Sequence, residues 1–261
     1  MFLQFKNLSK KYKNRHMTQD VLMDINFSIE EGQFVSIIGP SGCGKSTLLS
    51  MVAGLTNATT GEIFLEASPI IKPGIDRGMV FQQAALFPWM TVVENVMFPL
   101  RKQMNKSEAK KVALRFLQMV QLSNYSEHSP HELSGGMQQR VAIARALAMD
   151  PKLLLMDEPF GALDEQTRSR LHEELEKIWV DTKKTIVFVT HSINEAIKLS
   201  DRIIVMGTRP GRIIADLDVN LPRPRQSNQE EVAILEEKIV DLLKGEIDKV
   251  VKEELAYAAG N

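Results

Sequence analysis

Apolar and polar positions along the chain alternate between two rhythms. Short runs of strand character come first, at Phe2-Leu3-Gln4-Phe5, Leu22 to Ile29 and Phe34-Val35-Ser36-Ile37-Ile38. The last is apolar at nearly every position, which suits a strand buried on both faces of a sheet. Glu31-Gly32 predicts a turn before it, and Gly39 ends it. From Ser46 to Leu55 the rhythm changes, and Leu48, Leu49, Val52 and Leu55 recur at helical spacing. Thr60-Gly61 reads as a turn into a strand at Glu62 to Glu66, and Gly78 to Gln82 as another strand.

The middle of the chain reads as helix. Val92 to Leu100 fits one. Asn105 with Glu108 predicts a capping box before a second. Its apolar stripe is Ala109, Val112, Ala113, Phe116, Leu117 and Val120. A mostly helical subdomain is expected at about residues 86–138. Strand and helix then alternate: helix from Gly136 to Met149, stopped by Asp150-Pro151; strand at Leu153 to Met156; helix from Glu165 to Asp181; strand at Thr185 to Thr190; helix from Ile193 to Leu199; strands at Ile203 to Met206 and Arg212 to Ala215. Such alternation implies an α/β protein with a parallel sheet and helices on both faces. Leu221-Pro222-Arg223-Pro224-Arg225 breaks the pattern. Beyond it Leu235, Ile239, Leu243, Ile247 and Val251 recur every fourth residue, a long amphipathic helix with Gly245 as its weak point. The expected division is residues 1–220 and a C-terminal helical extension, 221–261. No internal repeat or low-complexity tract is present.

Composition narrows the class. A chain of 261 residues, 44 % hydrophobic and 25 % charged, is ordinary globular material with room for a large core. A net charge of −1 gives no reason to expect nucleic acid as a partner. Cys43 is the single cysteine, which excludes an internal disulfide framework and a cysteine-rich zinc module, and fits a reducing compartment. No apolar run reaches the roughly 18 residues of a membrane span. Residues 1–20 hold no apolar segment of the signal-peptide kind. The expectation is a soluble protein of the cytosol that works at a membrane only through a partner.

Three motifs carry chemistry. Gly39-Pro40-Ser41-Gly42-Cys43-Gly44-Lys45-Ser46-Thr47 matches G-x-x-x-x-G-K-[ST] between an expected strand and an expected helix. Glycines let consecutive N–H groups face a phosphate, and the helix start adds its positive dipole end. Lys45 would reach the β- and γ-phosphates, and the Ser46 hydroxyl would ligate Mg²⁺. Second, the apolar run Leu153 to Met156 delivers Asp157 and Glu158 at its carboxyl end, where ligands sit in open α/β sheets. Asp157 would hold Mg²⁺ directly or through water, and Glu158 would be the general base on an attacking water. Read alone, the pair could equally cap the next helix. Third, Leu133-Ser134-Gly135-Gly136-Met137-Gln138-Gln139-Arg140 opens a helix and forms a second anion site. By itself it is a serine cap. Two distant anion sites hardly wrap one γ-phosphate within a single chain, so the second is suited to another copy.

Together these motifs resemble the nucleotide-binding subunit of the ATP-binding-cassette (ABC) transporters, over about residues 1–217. The Leu-Ser-Gly-Gly-Met-Gln-Gln-Arg run is similar to that family's signature, with Met137 standing where the first glutamine is usual. The order also fits: phosphate loop, Gln82, signature, Asp157-Glu158, Ala162-Leu163-Asp164, His191. The resemblance implies a RecA-like phosphate-loop NTPase core with an antiparallel β-subdomain and a helical subdomain. It implies that Tyr12 stacks on adenine and that Gln82 touches Mg²⁺ and links to the membrane subunit. It further implies that Asp164 lies in the loop crossing the dimer interface, and that His191 holds the γ-phosphate and orients Glu158. ATP and Mg²⁺ are the implied ligands. The implied partners are a second copy, integral membrane permease subunits and a periplasmic or lipid-anchored solute-binding protein. The implied place is the cytoplasmic face of the inner membrane.

Local features resemble one branch. Arg209-Pro210-Gly211-Arg212-Ile213 and Leu221 to Arg225 are similar to importers of nitrate, aliphatic sulfonates and taurine; bicarbonate and thiamin-precursor importers look similar. The short stretch after residue 225, without a large regulatory domain, fits the same branch. Leu86-Phe87-Pro88-Trp89-Met90-Thr91-Val92 is apolar and aromatic, either a permease-docking patch or core. Two other classes compete. A soluble ABC-family ATPase acting on nucleic acid or ribosomes usually has two cassettes or a long coiled coil. A small-molecule kinase has no use for Ser134-Gly135-Gly136.

Overall fold

The computed structural model describes residues 1–13, 18–161, 163–223, 225 and 230–259, with side chains as far as Lys249. Ala162, Pro224 and the Val251 side chain, which entered the sequence reading, lie outside this set. The chain forms two compact units.

The first unit comprises residues 1–73 and 187–261. It holds β1 (Leu3–Lys13), β2 (Thr18–Ile29), β4 (Thr60–Leu65) and the two-residue β5 (Ser68–Pro69), in the antiparallel order β2-β1-β4-β5. Leu3, Phe5 and Leu8 of β1 face inward and are buried with Ile25 and Ile29 of β2. The β1–β2 register shifts between Phe5 and Leu8, and Asn7 (φ 47°) and Asp24 (φ 49°) take the left-handed backbone that asparagine and aspartate tolerate. The second sheet of this unit begins with β10 (Arg212–Asp218), β9 (Arg202–Gly207) and β3 (Phe34–Ile38), then β8 (Thr185–Val189), the strand in which the division falls. Every residue of β3 and β8 is buried, as their near-continuous apolar sequences require. β3 and β9 are parallel, with Ile38 opposite Val205.

Helix α1 (Lys45–Val52) ends three residues short of the expected Leu55. Gly54 takes a left-handed φ of 75° and Leu55 is exposed. Glycine at that position ends a helix at no steric cost, and here it outweighs the periodicity of Leu55. Thr60 and Gly61, expected as a turn, are already part of β4. α6 (Ile193–Leu199) and α7 (Glu230–Ala259) complete this unit. Val232 and Ile239 of α7 are buried in one cluster with Ala196, Ile197, Ile203, Val205 and Val219. The helix runs unbroken through Gly245, because the face that buries Ile239 and Glu246 supplies more than one glycine withdraws.

The second unit, residues 74–186, holds β6 (Arg77–Val80) and β7 (Leu153–Asp157), which pair in parallel. Its helices are α2 (Val92–Met97), α3 (Lys106–Met119), α4 (Gly135–Ala148) and α5 (Glu165–Thr182). α2 is shorter than expected and passes at Phe98 into a 3₁₀ segment containing Pro99, which cannot continue the ladder. α3 starts at the Asn105–Glu108 capping box as expected. Two further boxes, Thr91–Glu94 and Ser129–Glu132, follow the same S/T-x-x-E pattern.

Candidate functional site

The phosphate-loop sequence links β3 to α1 within the first unit. Gly42 (φ 79°) and Gly44 (φ 94°) are left-handed, so the chain curls between them, and Gly44 is the N-cap of α1 with no side-chain hydrogen bond. Close packing explains two glycines. A Cβ on Gly39 would lie 2.6 Å from the Met206 carbonyl oxygen, and one on Gly44 2.6 Å from Leu22 Cδ2. Lys45 is buried, and its ammonium donates to the carbonyls of Gly39 at 2.8 Å and Pro40 at 3.1 Å. The loop thus holds a buried cation against its own carbonyls, beside a helix start whose N–H groups are not taken by a capping side chain. That is the chemistry an anionic phosphate fits. Ser41 and Ser46 are exposed and Thr47 is half-buried. Cys43 is buried beneath the loop, and burial pushes its thiol up although Lys45 opposes the shift. It is a neutral packing group there.

Tyr12, also in this unit, is half-exposed on β1, with the Lys10 ammonium 4.8 Å from its ring centroid. His191 is exposed between β8 and α6. Its neighbours are fixed: the Thr190 hydroxyl accepts from the Ser192 N–H at 3.0 Å and donates to Glu195 at 2.5 Å, and Ser192 caps α6.

The remaining expected residues lie in the second unit. Asp157 ends β7 half-buried, and Glu158 follows at φ 45°. A left-handed glutamate costs roughly 1–3 kcal/mol, and such strain concentrates where a side chain must be aimed. Nothing in the sequence announced it. Gln82 and Glu158 converge on Gly161: a Cβ there would lie 3.5 Å from Gln82 Nε2 and 3.9 Å from a Glu158 carboxylate oxygen. Gln82 also lines a cleft of about 510 Å³ with Gly135, Gln139 and Leu163.

Ser134 is the N-cap of α4, and its hydroxyl accepts from the Met137 N–H at 3.4 Å. Gly135 is exposed and Gly136 buried. A Cβ on Gly136 would lie 2.5 Å from Thr167 Cγ2, so this glycine is fixed by the start of α5. Asp164 is the N-cap of α5, and hydrogen bonds from Thr167 hold its carboxyl below the usual range, so it is ionised. The structure therefore brings Ser134-Gly135-Gly136 beside the Asp164 to Thr167 turn, and Gln82 beside Glu158.

Three residues with positioning geometry escaped the sequence reading. Gln139 is buried and donates to the Phe81 carbonyl at 3.0 Å, tying α4 to the residue before Gln82. Arg145 donates at 2.9 Å to both the Ala84 and Ala85 carbonyls and lies over the Phe87 ring. Arg168 donates to the Leu163 carbonyl at 2.7 Å and braces the Asp164 loop. Helical phase gave no signal for them, because Gln139 and Arg145 are six residues apart on α4 and so off one face, and Arg168 lies on α5. In the Leu86 to Val92 stretch Trp89 is 74 % exposed and Phe87 half-buried, its ring tilted against those of Trp89 and Phe98.

Comparison with known proteins gives a family. A family model described as ABC transporter matches residues 22–161. An aliphatic sulfonates import ATP-binding protein of Bacillus cereus is 46 % identical over 240 residues, covering 92 % of this chain and 95 % of its own. A nitrate import ATP-binding protein of Synechocystis sp. is 48 % identical over 223 residues, covering 85 % and 84 %. Among solved structures, a dimeric post-hydrolysis state of an ATP-binding cassette bound to ADP and Pi is similar at a TM-score of 0.75 and 38 % identity. It covers 84 % of this chain and 100 % of its own. A family match over more than half the chain, with relatives nearly half identical along most of it, establishes that the chain belongs to the ABC transporter family.

Proposed function

We propose that this chain is an ATPase subunit that powers import of a small solute through a membrane permease. The observation that carries the reading is the phosphate loop, where buried Lys45 stands at the head of a helix capped by a left-handed glycine and not by a side chain. The backbone of Gly39 to Gly44, with Lys45 and Thr47, takes the β- and γ-phosphates of ATP. Tyr12 stacks on the adenine, worth about 1–3 kcal/mol for an aromatic face on a base.

The Ser46 hydroxyl, the Gln82 amide oxygen and the Asp157 carboxylate are hard oxygen donors of the kind Mg²⁺ takes, and they would hold it. When bound, the ion neutralises charge on the phosphates. Glu158 accepts a proton from water as the water oxygen bonds to the γ-phosphorus. The bond from that phosphorus to the bridging oxygen breaks, and its electrons leave with ADP. His191 holds the γ-phosphate and orients Glu158.

Ser134, Gly135 and Gly136 serve the ATP of a second copy, and Asp164 lies at that shared interface. A dimeric cassette among the similar structures supports this arrangement. Exposed Trp89, with half-buried Phe87 and Met90 beside it, is the permease contact, and a periplasmic or lipid-anchored binding protein delivers the cargo. The chain would sit peripherally on the cytoplasmic face of the membrane; among the described residues no helix is long and apolar enough to cross one. Residues 1–220 form the ATP-binding part, with 86–138 as its helical portion, and 221–261 the extension. Relatives named for sulfonate and nitrate import favour a small solute such as nitrate, a sulfonate, taurine or similar as cargo. They also favour this reading over a soluble ATPase on nucleic acid or ribosomes.

The test is ATP binding and phosphate release by the purified chain and by Lys45→Ala. Loss of nucleotide affinity in the variant is expected; unchanged binding contradicts the assignment. Transfer of phosphate to an added metabolite instead of water would replace it with the kinase reading.

A further inference from the structure

The C-terminal helix does more than cover its own unit. Glu246 of α7 is almost fully buried, at 4 % exposure, and is the one carboxylate that α7 sends inward among its described side chains. Arg212 Nη2 donates to both its oxygens, at 2.9 and 3.0 Å, the Thr208 N–H donates at 3.2 Å and the Lys249 ammonium at 2.7 Å. Arg212 Nη1 also donates to the Thr208 carbonyl at 3.1 Å. The turn between β9 and β10 is thus pinned at both ends by one ion pair. Gly207 belongs to the same device, since a Cβ there would lie 2.4 Å from a Glu246 oxygen.

The far side of that turn rests on the phosphate loop. The Gly211 N–H donates to the Val21 carbonyl and its carbonyl accepts from the Met23 N–H, both at 2.9 Å. A Cβ on Gly211 would lie 2.0 Å from the Cys43 carbonyl oxygen, so backbone meets backbone there. Leu22, held between those two bonds, is the side chain against Gly44. On the other flank Gly39 packs on the Met206 carbonyl, two residues before the pinned turn. The left-handed glycines and the folded-back lysine therefore have a wall behind them, and the wall is clamped by α7.

We infer that Glu246 and Arg212 are positioning residues for nucleotide binding: their ion pair holds the Thr208 to Gly211 turn against the phosphate loop. This inference rests on the phosphate loop being the ATP site. Neither residue touches nucleotide; they act by keeping the loop in its phosphate-ready shape. Two arrangements of closely packed backbone differ by discrete steps, so loosening the clamp changes affinity more than chemistry.

The experiment measures the MgATP KM, kcat and thermal midpoint of the full chain for Glu246→Ala, Arg212→Ala and the double variant, with Lys45→Ala as control. KM is expected to rise about threefold to tenfold in each single variant, with kcat within about twofold. The double variant should be no worse than either single one, since one ion pair is being removed. Glu246→Gln and Arg212→Lys, which keep shape and some hydrogen bonding, should recover part of the KM, and they serve if an alanine variant fails to fold. A lower thermal midpoint with unchanged KM in the folded variants overturns the inference, because it assigns the clamp to stability alone. If Lys45→Ala also binds ATP normally, the phosphate-loop reading fails. If Lys45→Ala loses binding while the clamp variants keep their KM, only the clamp fails.

Discussion

The phosphate loop and the Ser134 loop each open a helix, and they treat the first N–H groups of that helix in opposite ways. α1 begins from a left-handed glycine with no capping side chain, over a buried lysine. α4 begins from an extended serine whose hydroxyl accepts the Met137 N–H at a long 3.4 Å, with no acidic residue in the first turn. Every helix start has orphan donors to satisfy. The first loop gives them no capping side chain and supplies a buried cation from its own sequence. The second satisfies them weakly with its own exposed serine and supplies no lysine. A complete anion site and a half-site are the natural products of that difference. On the proposed reading, the phosphate of the half-site is held by the lysine of a second copy.

Substitutions can separate the two. Glu158→Gln removes the proposed base and should lower ATP turnover by about 10²–10⁴-fold with binding retained, read as phosphate release. Ser134→Arg should lower turnover by about tenfold or more while monomeric ATP binding persists, because a large cation is placed where two copies meet. Mixing it with Lys45→Ala should restore part of the turnover, since the mixed pair has one intact shared site. Full activity of Ser134→Arg alone would erase the distinction between site and half-site. Gly136→Ala should destabilise the fold by about 1–3 kcal/mol in urea unfolding, because its Cβ lies 2.5 Å from Thr167 Cγ2. Thr167→Ser, which removes that methyl, should relieve most of the loss.

The smallest effect concerns Glu246. Burial raises its carboxyl, and Lys249, the Thr208 N–H and Arg212 together more than reverse that, leaving it below its ordinary value. A group lowered on folding stabilises above its unfolded pKa and loses that contribution as pH falls through the folded one. The gap in thermal midpoint between the natural chain and Glu246→Gln should therefore be full at neutral pH and close under acid.

The sequence made the chemistry legible where chemistry is local. Strand cores such as Phe34–Ile38 announce themselves by continuous apolarity, and the phosphate loop by glycines that only one geometry needs. The Asn105 box was readable and is present; the identical Thr91 and Ser129 boxes went unread although the same rule finds them. What stayed hidden depends on distant neighbours. The left-handed Glu158 has no local cue, since the following proline favours extended backbone at that position. Nothing local in the sequence says that Gly211 packs against Cys43 or that Gly136 packs against Thr167. Leu55 follows the helical period but loses to Gly54, and Gly245, the expected weak point of its helix, lies inside α7 beside the buried Glu246.

The central claim is that one ATP is completed by two copies. Light scattering on Glu158→Gln, with and without ATP, tests it most directly, because hydrolysis cannot then reopen the pair. The account predicts a shift from the 29.4 kDa monomer to a dimer of twice that mass when ATP is added. A protein that binds ATP at Lys45 and stays monomeric would contradict it.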